Sequence, residues 1–67
     1  MRITLNNTSE HIEGDQMTVN ELISYKNFTF KLLVTKVNGQ LVKTNERDEV
    51  LVRDGDQVQI LHLISGG

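Results

Sequence analysis

The chain has 67 residues, 37% of them hydrophobic, which is enough for one small domain with a single core but not for a roomy substrate pocket as well. It contains no cysteine, and this excludes disulfides, thiolate metal ligands and a nucleophilic thiol. The formal charge is −2 and the basic residues form no dense run, so we expect no nucleic-acid partner, because such a partner normally requires a basic stripe.

The first two predicted elements are strands. Ile3 and Leu5 alternate with polar residues, which predicts a strand with one buried face. Asn6-Asn7 tolerates left-handed backbone and predicts a hairpin turn. Residues 8–13 then return as a more polar second strand.

The opening residues show neither a signal-peptide nor a transit-peptide composition. No apolar run is long enough to cross a bilayer. We therefore expect a cytoplasmic location and no membrane partner.

A short helix is predicted next. Thr18-Val19-Asn20-Glu21 fits a capping box, in which the side chains of Thr18 and Glu21 each bond the other's backbone amide. Met17 and Leu22 are placed for a hydrophobic staple across this cap. Three apolar side chains at helical spacing are expected to face a sheet: Val19, Leu22 and Ile23. The helix should end near residues 25–27, because the segment that follows favours β-structure.

The second half of the chain alternates between strand-like runs and turns. Strands are predicted over residues 31–38, 40–42 and 57–64. Asn38-Gly39 is a strong signal for a two-residue turn between the first two of them. Residues 44–49 form a polar connection, 50–52 an apolar segment and 53–56 a tight turn.

This order of elements predicts an α+β fold of the β-grasp type, a mixed sheet of four to five strands crossed by one main helix. The first and last strands are expected to lie side by side and parallel in the middle of the sheet. We assign residues 1–64 to this domain and residues 65–67 to a flexible C-terminal tail.

Side chains that could carry chemistry form no recognisable catalytic or metal site. His11 and His62 lack further ligands at metal-binding spacing. Asp54 and Asp56 flank Gly55, which predicts a hairpin turn more strongly than an acid–base pair. No serine is matched with a base and an orienting acid. We therefore expect no metal site and no catalytic residue of the chain's own.

The C-terminal residues are the candidate working part. Glycine leaves the terminal carboxylate of Gly67 without a flanking side chain, so the tail is able to enter a narrow slot in a partner. Residues 65–67 reach about 10 Å when extended. We expect modification at Gly67 and recognition of Gly66, Ser65 and Ile64. The alternative is a frayed terminus without function.

The last strand also predicts a docking patch. If Val58 and Ile60 face the helix, Leu61 and Leu63 point to the other face of the sheet, which meets water. Leu32 or Val34 would extend this apolar surface. The alternative is a set of ordinary exposed aliphatic side chains.

The whole chain resembles the ThiS-type sulfur carriers of thiamine biosynthesis, within the ubiquitin-like β-grasp superfamily. The segments that carry the resemblance are Met1-Arg2-Ile3-Thr4-Leu5-Asn6, Thr18-Val19-Asn20-Glu21-Leu22-Ile23, Val37-Asn38-Gly39-Gln40-Leu41-Val42, Asp54-Gly55-Asp56-Gln57-Val58 and Gly66-Gly67. The chain departs from the family in two places. Lys43 stands where family members often have proline, and the following loop lacks their tryptophan.

The resemblance implies a sulfur carrier rather than an enzyme. An adenylyltransferase similar to ubiquitin-activating enzymes would use ATP to convert the Gly67 carboxylate to an acyl-adenylate, so the carrier itself binds no cofactor. A sulfur donor, such as a cysteine desulfurase acting through a persulfide, would then give a thiocarboxylate. Thiazole synthase would receive the sulfur.

Other functions stay open at this point. The small subunit of molybdopterin synthase uses the same thiocarboxylate end in another pathway. A ubiquitin-like protein modifier or a plain β-grasp binding module would use the same fold without carrying sulfur.

Overall fold

The structure is a computed structural model that describes residues 1–28 and 32–62. In these two stretches the elements in chain order are β1 (Arg2–Leu5), β2 (Thr8–His11), β3 (Gln16–Thr18), α1 (Val19–Tyr25), β4 (Leu33–Val37), β5 (Gln40–Val42), a 3₁₀ turn (Thr44–Glu46), β6 (Leu51–Arg53) and β7 (Gln57–His62).

The main sheet has five strands in the order β2-β1-β7-β4-β5. β1 and β7 are parallel, whereas β1–β2, β4–β5 and β4–β7 are antiparallel pairs. β7, the last strand along the chain, is therefore the central strand of the sheet. This arrangement confirms the predicted α+β fold of the β-grasp type, including the parallel pairing of the first and last strands.

A second sheet of two strands, β3 and β6, was not predicted. Met17 pairs with Val52 in its centre, and the side chain of Val52 is fully buried. Three-residue strands are too short to show a repeating alternation. Nothing in the apolar segment at residues 50–52 therefore indicated the strand with which it pairs.

The core lies between α1 and one face of the main sheet. Its buried side chains come from alternate strand positions, from the inner face of the helix and from the residue that follows β2: Ile3, Leu5, Ile12, Val19, Leu22, Val37, Val42, Val52, Val58 and Ile60. Ile23, the third predicted helix contact, is partly buried against this cluster. Burial of aliphatic side chains is the main force that holds the helix on the sheet.

Local signals at both ends of α1 explain its bounds. The Glu21 amide donates to the Thr18 Oγ1 over 3.0 Å and the Thr18 amide donates to Glu21 Oε1 over 2.8 Å, which confirms the predicted capping box. At the other end, Asn27 takes a left-handed φ of 57° and the Phe28 amide donates to the Ile23 carbonyl. This is a Schellman-type end, which stops the helix.

The two predicted asparagine turns are present. Asn6 and Asn7 have φ angles of 50° and 68°, and Leu5 pairs with Thr8 across them. Asn38 has a φ of 51°, and the glycine that follows it has 81°. Two successive residues with positive φ form the turn type that matches the twist of a hairpin, which is why these pairs terminate their strands cleanly.

Some predicted strand bounds differ from the observed ones. β2 ends at His11 and not at residue 13, although Ile12 still exchanges backbone hydrogen bonds with Met1. β4 begins at Leu33, and the predicted start at residue 31 lies outside the described residues. Residues 63 and 64, the predicted end of the last strand, also lie outside them.

The helix found in the described residues has seven residues and is far too short to cross a bilayer.

Candidate functional site

The face of the main sheet opposite α1 is open to solvent. Along β7 the side chains alternate: Val58 and Ile60 are 1% and 4% exposed, whereas Leu61 is 45% exposed. Leu61 therefore lies on the open face, as the alternation of the sequence predicts. Its part in docking is not tested by this geometry and stays a prediction.

Other apolar side chains share the open face with Leu61. Val34 is its direct partner across the β4–β7 pair, and Leu32, which precedes β4, is 51% exposed. Leu41 of β5 is 58% exposed and pairs with Lys36, the next open-face position of β4. We call Leu32, Val34, Leu41 and Leu61 the open-face patch. Leu41 was not predicted as a member, although its position next to the buried Val42 is the signal for it.

The charges on this face are of one sign. The pairing of β2, β1, β7, β4 and β5 shows which strand positions lie on the open side of the sheet. These positions carry Arg2 and Lys36 but no Asp or Glu. Glu10 belongs to the other side, where it forms a salt bridge of 3.1 Å with Lys26 after the helix. The open-face patch thus lies in a neutral to basic setting within a chain of net charge −2.

The end of β7 is held by neighbours on two sides. β4 pairs with it as far as His62. On the other side, the Asn6 side chain bonds the backbone of Ile60 through both its oxygen and its nitrogen. The candidate site residues beyond this point, Leu63, Ile64, Ser65, Gly66 and Gly67, lie outside the described residues. Their predicted roles therefore stay predictions.

The polar connection at residues 43–49 is tied to both the sheet and the helix. Arg47 Nη2 donates to the Leu33 carbonyl over 2.7 Å, and the Asn20 amide donates to the Arg47 carbonyl over 3.0 Å. The Lys43 amide donates to Glu46 Oε1 over 2.9 Å, a bond that a proline at this position could not make. No local sequence signal identifies these long-range contacts.

Asp54 and Asp56 have structural roles. Asp54 Oδ1 accepts from the Arg2 amide over 2.7 Å, and Asp56 Oδ2 accepts from the Arg53 amide over 2.8 Å. The prediction of a hairpin at this place was wrong: the turn is tight, but β6 and β7 belong to different sheets. The turn instead connects the small sheet to the start of the central strand, and the Gly55 amide binds the Arg2 carbonyl.

The two histidines are far apart along the sheet. His11 is exposed on the outermost strand β2, and His62 is exposed at the end of the central strand. Across residues 1–28 and 32–62, no three His, Cys, Asp or Glu side chains come close enough together to hold a metal ion.

Solved structures resemble this chain over its whole length. A crystal structure of the thiamine biosynthesis protein (ThiS) from Geobacter metallireducens matches with a TM-score of 0.89 and 28% sequence identity, and the match covers 100% of both chains. A solution NMR structure of a thiamine biosynthesis protein from the same organism has a TM-score of 0.81 at 28% identity, covering 100% of this chain and 88% of the other. Among curated proteins, none matches this sequence significantly.

The family comparison agrees with the structural one. The model of the ThiS family matches residues 2–67, a stretch that includes the whole described fold and the Gly66-Gly67 end. The TM-scores of 0.89 and 0.81 show that both matched structures share the fold of this chain. The chain therefore belongs to the ThiS family.

Proposed function

We propose that this chain is a sulfur carrier of thiamine biosynthesis and that the carboxylate of Gly67 carries the sulfur. The observation that carries the proposal is the family match over residues 2–67, together with a 28% identical structure of a thiamine biosynthesis protein. The fold agrees with this role, because residues 63–67 follow the central strand β7 in the sequence.

The chemistry of the tail belongs to the partners. A carboxylate resists nucleophiles, so an adenylyltransferase first joins it to the α-phosphate of ATP, releasing pyrophosphate and leaving AMP as a good leaving group. A persulfide sulfur from a donor such as a cysteine desulfurase then displaces AMP. Cleavage of the resulting S–S bond by a thiol leaves the thiocarboxylate on Gly67. The carrier acts as a cosubstrate, and ATP is bound by the activating partner.

The length of the tail fits a role in which the partner enzymes supply the active sites and the carrier supplies the carboxylate. Residues 63–67 follow His62, the last described residue, and five residues span at most about 18 Å when fully extended. That distance suffices to bring the carboxylate into an active site while the folded body stays at its entrance. The proposal places this meeting in the cytoplasm.

We further propose that the open-face patch docks on the adenylyltransferase. The patch includes Leu61, only six residues before Gly67 in the sequence, so a partner that binds Gly67 is expected to lie close to this face. Such contact would remove its four apolar side chains from water, which stabilises the complex by about 25 cal/mol for each Å² of apolar surface buried. Leu63 is expected to extend the patch.

The pathway is tested by sulfur transfer. The thiocarboxylate form of the full chain should support thiazole formation by thiazole synthase from deoxyxylulose phosphate and a glycine-derived imine. It should not support sulfur transfer by the large subunit of molybdopterin synthase. The opposite pattern would assign the chain to molybdopterin synthesis.

A protein modifier would behave differently. It would form isopeptide bonds between Gly67 and lysines of other proteins, which mass spectrometry of cell extracts detects. A plain binding module would keep its partner function after deletion of Gly66 and Gly67. The proposed function requires that this deletion abolish sulfur transfer completely.

A further inference from the structure

The pairing between β1 and β7 stops before the end of β7. The Thr4 amide donates to the Asp56 carbonyl over 3.0 Å, and the Asn6 amide donates to the Val58 carbonyl over 2.9 Å. At Asn6 the chain turns away into the hairpin to β2, so in the described residues its backbone makes no further hydrogen bond with β7. β7 itself continues to His62.

Beyond the point where the β1 backbone leaves β7, the side chain of Asn6 makes the hydrogen bonds to β7. Residues two apart in a strand direct their backbone groups to the same side, so Ile60, like Val58, presents both of its groups to β1. The Asn6 Oδ1 accepts from the Ile60 amide over 2.9 Å, and its Nδ2 donates to the Ile60 carbonyl over 3.1 Å. One carboxamide thus replaces two bonds of a strand ladder.

Asparagine suits this position for two reasons. It tolerates the left-handed φ of 50° at Asn6, which most other side chains avoid. Its carboxamide also offers one acceptor and a donor, whereas aspartate has only acceptors and glycine has no side-chain group. Asn7 shares the left-handed backbone, with a φ of 68°, but its side chain makes no hydrogen bond within the described residues.

We propose that Asn6 is a positioning residue for the C-terminal tail: by bonding the Ile60 backbone it fixes the end of β7 from which residues 63–67 depart. This inference rests on the proposed function. A partner that must capture Gly67 then meets a tail whose origin is already ordered. If the end of β7 loosens, only a fraction of the carriers presents the tail in the position that the partner binds. The apparent affinity of the partner for the carrier is then reduced to that fraction of its intrinsic value.

The first test measures the local order of β7 without any partner. Asn6→Gly keeps a residue that tolerates the left-handed backbone and removes the carboxamide, whereas Asn7→Gly makes the same change one residue further along. Native-state hydrogen exchange should show that Asn6→Gly lowers the protection of the Ile60 amide about tenfold, the factor that corresponds to one net hydrogen bond. Protection at Val58 should change much less, and Asn7→Gly should leave both amides unchanged.

The second test measures adenylation of the full chain by its adenylyltransferase. We expect Asn6→Gly to raise the KM for the carrier several-fold with kcat unchanged, because the reacting carboxylate is untouched once the tail is bound. Asn7→Gly should match the wild type. Ile12→Val, which removes one buried methyl group at the opposite end of β1, controls for a loss of stability. It should leave KM unchanged while the protein stays folded.

The outcomes separate this inference from the proposed function. Equal protection of Ile60 in Asn6→Gly and Asn7→Gly, or an unchanged KM for Asn6→Gly, overturns the positioning role while the sulfur-carrier proposal stands. A KM that rises equally in Ile12→Val assigns the effect to stability and also overturns it. If the wild type is not adenylated at all, the proposed function is wrong, and the positioning role is wrong with it.

Discussion

Thr35 shows how a single side chain joins three parts of the fold. It is the buried polar residue found among the described parts of the chain, and its side chain is fully enclosed. Its Oγ1 donates to the Val42 carbonyl of β5 over 2.8 Å and accepts from Arg47 Nε over 3.3 Å. The bond to the Val42 carbonyl is buried, whereas Arg47 is part-buried and also donates to the Leu33 carbonyl.

Replacing this hydroxyl group should be costly. Thr35→Val keeps the shape of the side chain but removes the hydrogen bonds that the hydroxyl group makes with the Val42 carbonyl and with Arg47 Nε. We expect the free energy of unfolding to fall by about 1–2 kcal/mol. Thr8→Val, at an exposed position of β2 whose side chain makes no hydrogen bond within the described residues, should change it by less than about 0.5 kcal/mol. Urea unfolding of the two variants measures the difference, and equal midpoints would contradict this role of Thr35.

This contact could not be predicted from the sequence. The alternation of residues 33–37 places Thr35 on the inner face, but its partners lie seven and twelve residues away along the chain. The contact with Arg47 forms only because the 43–49 segment folds back over β4. By contrast, the capping box of Thr18 and Glu21 is complete within four residues, and so it was predicted correctly.

At the scale of the elements, β7 separates the two faces of the sheet. Its inner side chains, Val58 and Ile60, belong to the core under α1, while Leu61 projects to the open face beside Val34 of β4. The same strand therefore anchors the fold and contributes to the open-face patch. A change at Leu61 can alter binding without removing a core side chain.

We expect Leu61→Asp to weaken binding to the adenylyltransferase at least about tenfold, because an unpaired carboxylate would be buried in the contact. Tyr25→Asp makes the same change of charge at an exposed side chain of the helix, 57% exposed, away from the open face. It should bind within about twofold of the wild type if the partner contacts only the open-face patch. Titration calorimetry with the purified enzyme measures both affinities.

Two outcomes would contradict the docking role of the open-face patch. One is equal binding by the two variants. The other is loss of cooperative unfolding in Leu61→Asp, which would place Leu61 in the core. Circular dichroism of each variant before the titration distinguishes folded protein from unfolded protein.

Elements whose signals are local or strongly periodic were predicted well. The helix, the two asparagine turns and the strands of the main sheet all have signals within a few residues. The small sheet of β3 and β6 was missed because its two strands are three residues long and lie more than thirty residues apart. The turn at residues 53–56 was predicted. Its role as the connection between the two sheets was not, because that role follows only from the pairing of β3 with β6.

At the scale of the whole molecule, the topology explains why the chain end matters. The final strand occupies the centre of the sheet, between β1 and β4, so the residues after it depart from the best-supported part of the fold. The described part of the chain supplies a folded body with one core and an apolar surface on the open face of the sheet. The reactive group would be the carboxylate of Gly67, and the enzymes that act on it are partners.

The sequence offers a signal for the chemistry of the site but not for its geometry. The Gly66-Gly67 end and the apolar alternation up to residue 64 predict that the tail is the working part of the chain, and this stays a prediction. The contribution of Asn6 was not predicted, because a turn-forming asparagine gives no sign that its side chain also bonds a strand more than fifty residues away. The family match then connects this architecture to sulfur transfer.

The central claim is that Gly67 accepts sulfur, and intact-mass spectrometry tests it most directly. The full chain is incubated with its adenylyltransferase, ATP and a persulfide sulfur donor, beside a control chain that lacks Gly66 and Gly67. We predict that the wild type gains the mass difference between one sulfur atom and one oxygen atom, located at the C-terminus by fragmentation, and that the control gains nothing. An unchanged wild-type mass, with an adenylyltransferase shown to be active on another carrier, would contradict the account.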